Sequence, residues 1–155
     1  MDVFDRISTL LRNNGISFVT IHHEPTRTSE ASAQARREDL SIGGKAIVMK
    51  VDDAFKLFVL SAVLKIDSKK IKKYFHSKKI RFASNEELKL LTDLVPGSVP
   101  PFGKPILNLD LYVDSSITRN RKIAFNAGSL TDSIIMETKD YILAAVPEVF
   151  DFSVT

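Results

Sequence analysis

Apolar residues open the chain at helical spacing. Val3, Phe4, Ile7, Leu10 and Leu11 fall on one stripe across residues 2–14, and Gly15 follows where a left-handed stop is cheapest. Residues 16–21 then alternate with the period of a strand. Pro25 breaks the pattern, and Thr28 or Ser29 with Glu30 predicts a second helix running to about Asp39. Beyond Gly43 and Gly44, β-rich runs at residues 45–51 and 56–61 flank the polar pair Asp52-Asp53, which predicts a hairpin. Asp67 caps a lysine-rich helix whose inward stripe is Ile71, Tyr74 and Phe75. Residues 80–83 form a short strand before Ser84-Asn85-Glu86-Glu87, a capping box in which the serine oxygen accepts an amide hydrogen and Glu87 reaches back. The helix it opens turns Leu88, Leu91 and Leu94 inward and ends before Pro96. Strands at 106–113, 122–126 and 133–137, a turn through Ala127, Gly128 and Ser129, and a helix at 138–146 complete the pattern.

Helices and strands interleave early and strands dominate late, which argues for an α+β domain on a mixed sheet rather than a doubly wound fold. With 155 residues, 44% of them hydrophobic, and no repeat or linker, residues 1–155 read as one domain able to bury a core. A net charge of +3 beside that apolar share excludes disorder. No apolar run approaches the roughly eighteen residues of a membrane helix. The acidic start MDVFDRISTLL is no secretory leader, so a soluble, cytoplasmic protein with no membrane partner is expected. The lack of cysteine rules out disulfides, a thiol nucleophile and thiolate metal sites.

Several chemistries fail on inspection. Gly43-Gly44-Lys45 suggests a phosphate loop, but the motif's first glycine would fall on Asp39 and its hydroxyl on Ala46. His23-Glu24 begins like a zinc-protease helix, yet Pro25 forbids the helix and Arg27 stands in place of the second histidine. No G-x-S-x-G elbow exists, and with only His22, His23 and His76 a histidine metal site is not expected. Two features remain. Lys45 heads an apolar strand directly after two glycines, either as a solvent-facing edge residue or as a fixed positive charge for a phosphate or ester. The loop 96–105 holds four of the six prolines, which stiffen it and leave carbonyls without local donors: a good ligand wall, or a plain crossover. In addition Lys65, Lys69, Lys70, Lys72, Lys73, Lys78, Lys79 and Arg81 crowd one segment, a solvated face or a phosphate-backbone contact. That segment lacks the interleaved aromatics of a single-strand platform, which disfavours a general nucleic-acid binder.

Four segments, in order, carry a resemblance: Thr28-Ser29-Glu30-Ala31, Gly44-Lys45-Ala46-Ile47-Val48-Met49, Pro96-Gly97-Ser98-Val99-Pro100-Pro101-Phe102-Gly103 and Phe125-Asn126-Ala127-Gly128-Ser129. They resemble the YbaK/prolyl-tRNA-synthetase-associated domain family over about residues 16–146, with Gly97 to Pro101 matching its G-x-x-x-P signature. The resemblance implies a mixed, partly closed barrel-like sheet flanked by helices. It also implies a free-standing aminoacyl-tRNA deacylase acting at the acceptor end of tRNA for proline, or of another tRNA bearing a small wrong amino acid. Carried over, Lys45 grips the terminal ribose-phosphate, and the backbone from Gly97 to Pro101 binds the substrate's amino group and orients a water or the ribose hydroxyl. Thr28, Ser29, Ser98, Val99, Pro100, Asn126, Gly128 and Ser129 are the implied lining, with no metal and no cofactor. Lys69, Lys70, Lys72 and Lys73 would meet the acceptor stem, and a synthetase or an elongation factor is a further partner of this reading.

One departure matters: the family's alanine-specific branch carries asparagine after the lysine, where this chain has Ala46. Serine, threonine, alanine and cysteine all stay open as the amino acid. Asp132 is read as a turn cap rather than a base, and at least one of Thr28 and Ser29 as a helix cap. A non-catalytic tRNA- or synthetase-binding module of the same fold is the alternative.

Overall fold

The computed structural model describes residues 1–154. Its elements run α1 (Val3–Asn13), β1 (Val19–His22), α2 (Ser29–Arg36), a 3-10 turn (Leu40–Ile42), β2 (Gly44–Val51), β3 (Ala54–Ser61), α3 (Ser68–Phe75), β4 (Ile80–Phe82) and α4 (Asn85–Thr92). After the proline-rich loop come β5 (Asp110–Asp114), α5 (Ser115–Thr118), β6 (Lys122–Asn126), β7 (Asp132–Glu137), α6 (Thr138–Ala145) and β8 (Glu148–Phe150). The strands form two sheets, β1-β7-β6 and β4-β2-β3-β5-β8. The larger is mixed: β2 is antiparallel to β3 and β4, whereas β5 is parallel to β3 and to β8. The α+β class and mixed sheet follow the sequence pattern. The barrel does not close; among the described residues one parallel bridge, Gly43 to Ala124, joins the backbones of the two sheets.

The two glycines before Lys45 belong to that seam. A Cβ on Gly44 would lie 2.8 Å from Cδ1 of Ile123 on β6, and one on Gly43 would lie 3.1 Å from the Ala62 Cβ. Close approach of neighbouring protein, more than ligand access, accounts for both. The hairpin then separates two cores by its alternation. Val48, Leu57 and Val59 join the main core with α1, β6 and β7. Met49, Val51, Phe58 and Leu60 face the other way, under Ile71 of α3. Strand β3 is covered on both sides, so residues 57–60 read as an unbroken apolar run.

The loop between α4 and β5 is packed rather than free. Phe102 is buried edge-on against Phe125 and Tyr141, with ring centroids 5.6 and 5.4 Å away. Its carbonyls find distant donors: the Gly128 amide on Ser98, the Tyr141 hydroxyl on Pro101 and the Arg6 guanidinium on Pro105. Gly97 adopts φ +89, a conformation that suits glycine.

Boundaries differ where tertiary contacts overrule local pattern. Helix α2 stops at Arg36 because Arg37 turns left-handed at φ 57, short of Asp39. The predicted strand from 106 begins only at Asp110, since the Ile106 and Leu107 amides turn back to the Gly103 carbonyl at 2.9 and 3.0 Å. Tyr74 is 39% exposed rather than inward, and lies flat on Phe150 of β8 at 3.7 Å. Leu91 is likewise exposed, whereas Leu88 is buried and Leu94 packs on the core. The capping box is as read: Ser84 Oγ accepts from the Glu87 amide at 3.1 Å, and Glu87 Oε1 from the Ser84 amide at 2.9 Å. Arg81 holds the Glu87 carboxyl down to about 2, assisted by that amide. Among the described residues no helix is long and apolar enough to cross a membrane.

Strand β8 is short and is anchored by one buried acid. Asp114, with 0% exposure, accepts from the Phe152 and Ser153 amides at 2.7 and 3.1 Å and from the Ser116 amide at 3.0 Å. Burial works to raise its pKa, but these hydrogen bonds prevail and hold it below the ordinary carboxylate value. Its stabilising effect is therefore present above that ordinary value and lost as pH falls through the depressed one. Asp114→Asn is expected to cost about 2 kcal/mol in urea unfolding and to flatten the acid limb of the stability curve. An unchanged acid limb would show that Asp114 does not anchor the C-terminal segment.

Candidate functional site

A cavity of about 200 Å³ opens where the sheet seam, the start of α2 and the proline-rich loop converge. Helix α2 supplies one wall. Thr28 caps it, accepting from the Ala31 amide at 3.1 Å, while Ser29, Ser32 and Arg36 follow along its inward face. That spacing is the 3.6-residue stripe of a packed helix, yet the side chains on it are polar. Gly97 and Val99 form the loop side, and Asn126 closes the floor from β6.

The floor is one hydrogen-bonded knot. Asn126 Nδ2 donates to the Gly97 carbonyl at 2.9 Å and to Thr26 Oγ1 at 3.3 Å. Its Oδ1 accepts from Arg36 Nη2 at 3.1 Å and from Ser133 Oγ at 3.0 Å, and Arg36 Nε donates to Ser133 Oγ at 2.9 Å. Thr26 and Ser32 hydroxyls meet at 2.8 Å. One side chain thus ties the loop, α2, β6 and β7 together.

Lys45 stands at the mouth, half-buried, on β2 opposite Leu60. Burial lowers its pKa, nearby Glu30 opposes the shift, and Lys65 adds to it. Of the loop carbonyls, Gly97, Ser98 and Pro101 already accept protein donors. Those of Val99 and Pro100 accept none among the described residues.

The structure gathers Lys45, Thr28, Ser29, Gly97, Val99 and Asn126 around one cavity. Ser98, Pro100 and Pro101 are buried in the loop outside the cavity lining. Gly128 supports it: its amide bonds Ser98, and a Cβ there would lie 2.6 Å from Val3 Cγ1 of α1. Ser129 belongs to a separate polar turn, donating to Asp132 at 2.8 Å, and Asp132 also meets His22 at 2.8 Å. On α3, Lys70 is tied to Asp151 at 3.2 Å and to the Ser153 carbonyl at 2.7 Å. Lys69, Lys72 and Lys73 are exposed with no carboxylate partner among the described residues. Sequence reasoning missed Arg36, Ser32, Thr26 and Ser133. The legible signal for the first two was the polar inward stripe of α2.

Residues 23–143 match the family model described as the aminoacyl-tRNA editing domain. Over 153 residues the chain is 34% identical to the multifunctional Ser/Thr-tRNA deacylase ProXp-y of Escherichia coli (strain K12), covering 95% of this chain and 90% of that one. It is 26% identical over 107 residues to the proline–tRNA ligase of Macrococcus caseolyticus (strain JCSC5402), which spans 69% of this chain but 18% of the ligase. The crystal structure of a candidate trans-editing enzyme for prolyl-tRNA synthetase shares the fold, with a TM-score of 0.82 over 100% of this chain and 99% of that one at 23% identity. The chain belongs to the aminoacyl-tRNA editing domain family, a class of carboxylic ester hydrolases.

The two polar ends of the site differ in what they do for the fold. A desolvated Lys45 opposes folding, so Lys45→Met is expected to leave Tm unchanged or raised. Asn126→Ala strands Arg36 and the Gly97 carbonyl, and is expected to cost about 1–3 kcal/mol. Thermal and urea unfolding of both variants provide the check; a marked loss of stability in Lys45→Met would contradict the assignment.

Proposed function

We propose that this protein hydrolyses the ester of a wrongly charged tRNA, releasing a small amino acid from the terminal adenosine. The observation that carries the reading is the convergence of a half-buried Lys45 with Gly97 and Val99 on one cavity of about 200 Å³. Lys45 holds the terminal ribose-phosphate by charge. The Val99 carbonyl, on the cavity wall and free of protein donors among the described residues, receives the substrate's α-ammonium group. The attacking water is positioned by the loop backbone or by the substrate's own ribose hydroxyl. An aminoacyl ester is already activated, so positioning and electrostatics can supply much of the rate without a protein base.

Ser29, Ser32 and Thr28 give the cavity polar walls, which favour serine or threonine as the amino acid removed. The likeness to a Ser/Thr-tRNA deacylase points the same way. The tRNA is read as that for proline or another with a small mischarged residue, and the setting as the cytoplasm. Exposed Lys69, Lys72 and Lys73 lie on α3, which covers the sheet face that Lys45 shares with Leu60, and they supply the acceptor-stem contact.

The test is deacylation of tRNAs charged with serine, threonine, alanine, cysteine or proline. Wild type should clear seryl- or threonyl-tRNA, and Lys45→Ala should lower kcat/KM by about 10²-fold or more without unfolding. No hydrolysis across the panel by folded protein would favour a binding module of the same fold.

A separate measurement concerns α3. Replacing Lys69, Lys72 and Lys73 with Gln should weaken tRNA binding. The slope of log affinity against log salt should become shallower by about 0.7–0.9 for each phosphate that is no longer neutralised. An unchanged salt slope would return the helix to a solvated surface.

A further inference from the structure

Arg36 is buried to 8% exposure at the last turn of α2, and no carboxylate pairs with it among the described residues. Its Nε and Nη2 are held by Ser133 and Asn126, both neutral. Its Nη1 has no acceptor among the described residues and lies beside Gly43, where even a methyl group would stand 3.9 Å away. Both residues line the cavity. Burial lowers the guanidinium pKa to about 10, and it remains a cation at neutral pH. A fixed, desolvated positive charge satisfied only by dipoles gains most from a negative charge that arrives during reaction.

Resting on the deacylase reading, we propose that Arg36 donates from Nη1 to the carbonyl oxygen of the bound aminoacyl ester and stabilises the negative charge that gathers there. Water oxygen bonds to the carbonyl carbon, and the carbonyl π pair moves onto that oxygen facing Arg36. On collapse the pair returns, and the bond from carbon to the ribose oxygen breaks. One water proton passes to the leaving ribose oxygen; the other is lost to solvent as the product ionises to a carboxylate. A cavity of about 200 Å³ admits the aminoacyl group and little more, so the group reaching its floor is not the phosphate held at Lys45. A neutral side-chain hydroxyl would leave the buried charge uncompensated, which favours the ester oxygen.

Arg36→Gln and Arg36→Lys test this against seryl-, threonyl- and alanyl-tRNA, with folding checked by thermal melting. Arg36→Gln should lose about 10²- to 10³-fold in kcat, by the same factor for every amino acid and with KM little changed. Arg36→Lys should recover part of that loss, which a purely structural tie would not. Full kcat in folded Arg36→Gln overturns the proposal, as does a loss confined to hydroxylated amino acids or one confined to KM. A second probe needs no turnover: an adenosine 3′-aminoalkylphosphonate ester, whose tetrahedral anion should bind wild type at least tenfold more tightly than Arg36→Gln. Equal binding to both overturns the proposal. Arg36-dependent phosphonate binding by a wild type that hydrolyses nothing would defeat the deacylase reading while supporting the anion contact.

Discussion

A guanidinium removed from water with only neutral partners is the constraint around which this site is organised. Arg36 would be costly where it lies if its donors were not met. Asn126 and Ser133 meet two of them. Asn126 can do so only by turning its amide toward the Gly97 carbonyl and Thr26. The orientation of one asparagine therefore sets the distance between α2 and the proline-rich loop. No single segment contains this site; residues 26, 36, 97, 126 and 133 come together only when β6 pairs with β7 and both α2 and the proline-rich loop pack beside them.

The seam explains why a cavity exists at all. Strands β2 and β3 pair with each other along their whole length, from Gly44 opposite Ser61 to Val51 opposite Ala54, and side chains fill both faces. At Gly43 the pairing reduces to one bridge with Ala124, and Ile123 occupies the volume that a side chain on Gly44 would need. The sheets thus meet backbone to backbone and then diverge, leaving room between α2 and β6. Lys45 is the first β2 residue beyond that contact with a side chain, which is why a charge there sits half in protein and half in solvent.

Local signals were legible in the sequence and long-range ones were not. The capping box at Ser84, the Thr28 cap and the hairpin across Asp52-Asp53 each depend on a few adjacent residues. Strand β8 gains its place from parallel pairing with β5 and from Asp114 beneath it, neither visible in the residues 148–150 themselves. Tyr74 followed the apolar period of α3 but stacks on Phe150, a partner more than seventy positions away. For the site, Lys45 and the loop that holds Gly97 and Val99 stood out from the residues themselves, and Thr28, Ser29 and Asn126 were named as lining through resemblance. Arg36 escaped because an arginine in a helix is ordinarily a surface residue. Its place on the same stripe as Ser29 and Ser32 was the available clue: a face that should be apolar for packing was polar instead.

Lys45 and Arg36 are both desolvated cations, one at the mouth and one at the floor of the same cavity. Such a space is hostile to the α-ammonium of an aminoacyl ester unless something of opposite polarity receives it. On the proposed reading the Val99 carbonyl meets that need, and the prolines that follow it keep its dipole fixed rather than free to rotate away. The division of labour then follows from charge alone. The Val99 carbonyl oxygen takes the positive end of the substrate, Lys45 takes the phosphate, and Arg36 faces the carbonyl oxygen on which negative charge builds in the tetrahedral intermediate. An arrangement of fixed dipoles and buried cations is strongest where water is excluded, so the cost that Arg36 imposes on folding is the same quantity that makes it useful to the reaction.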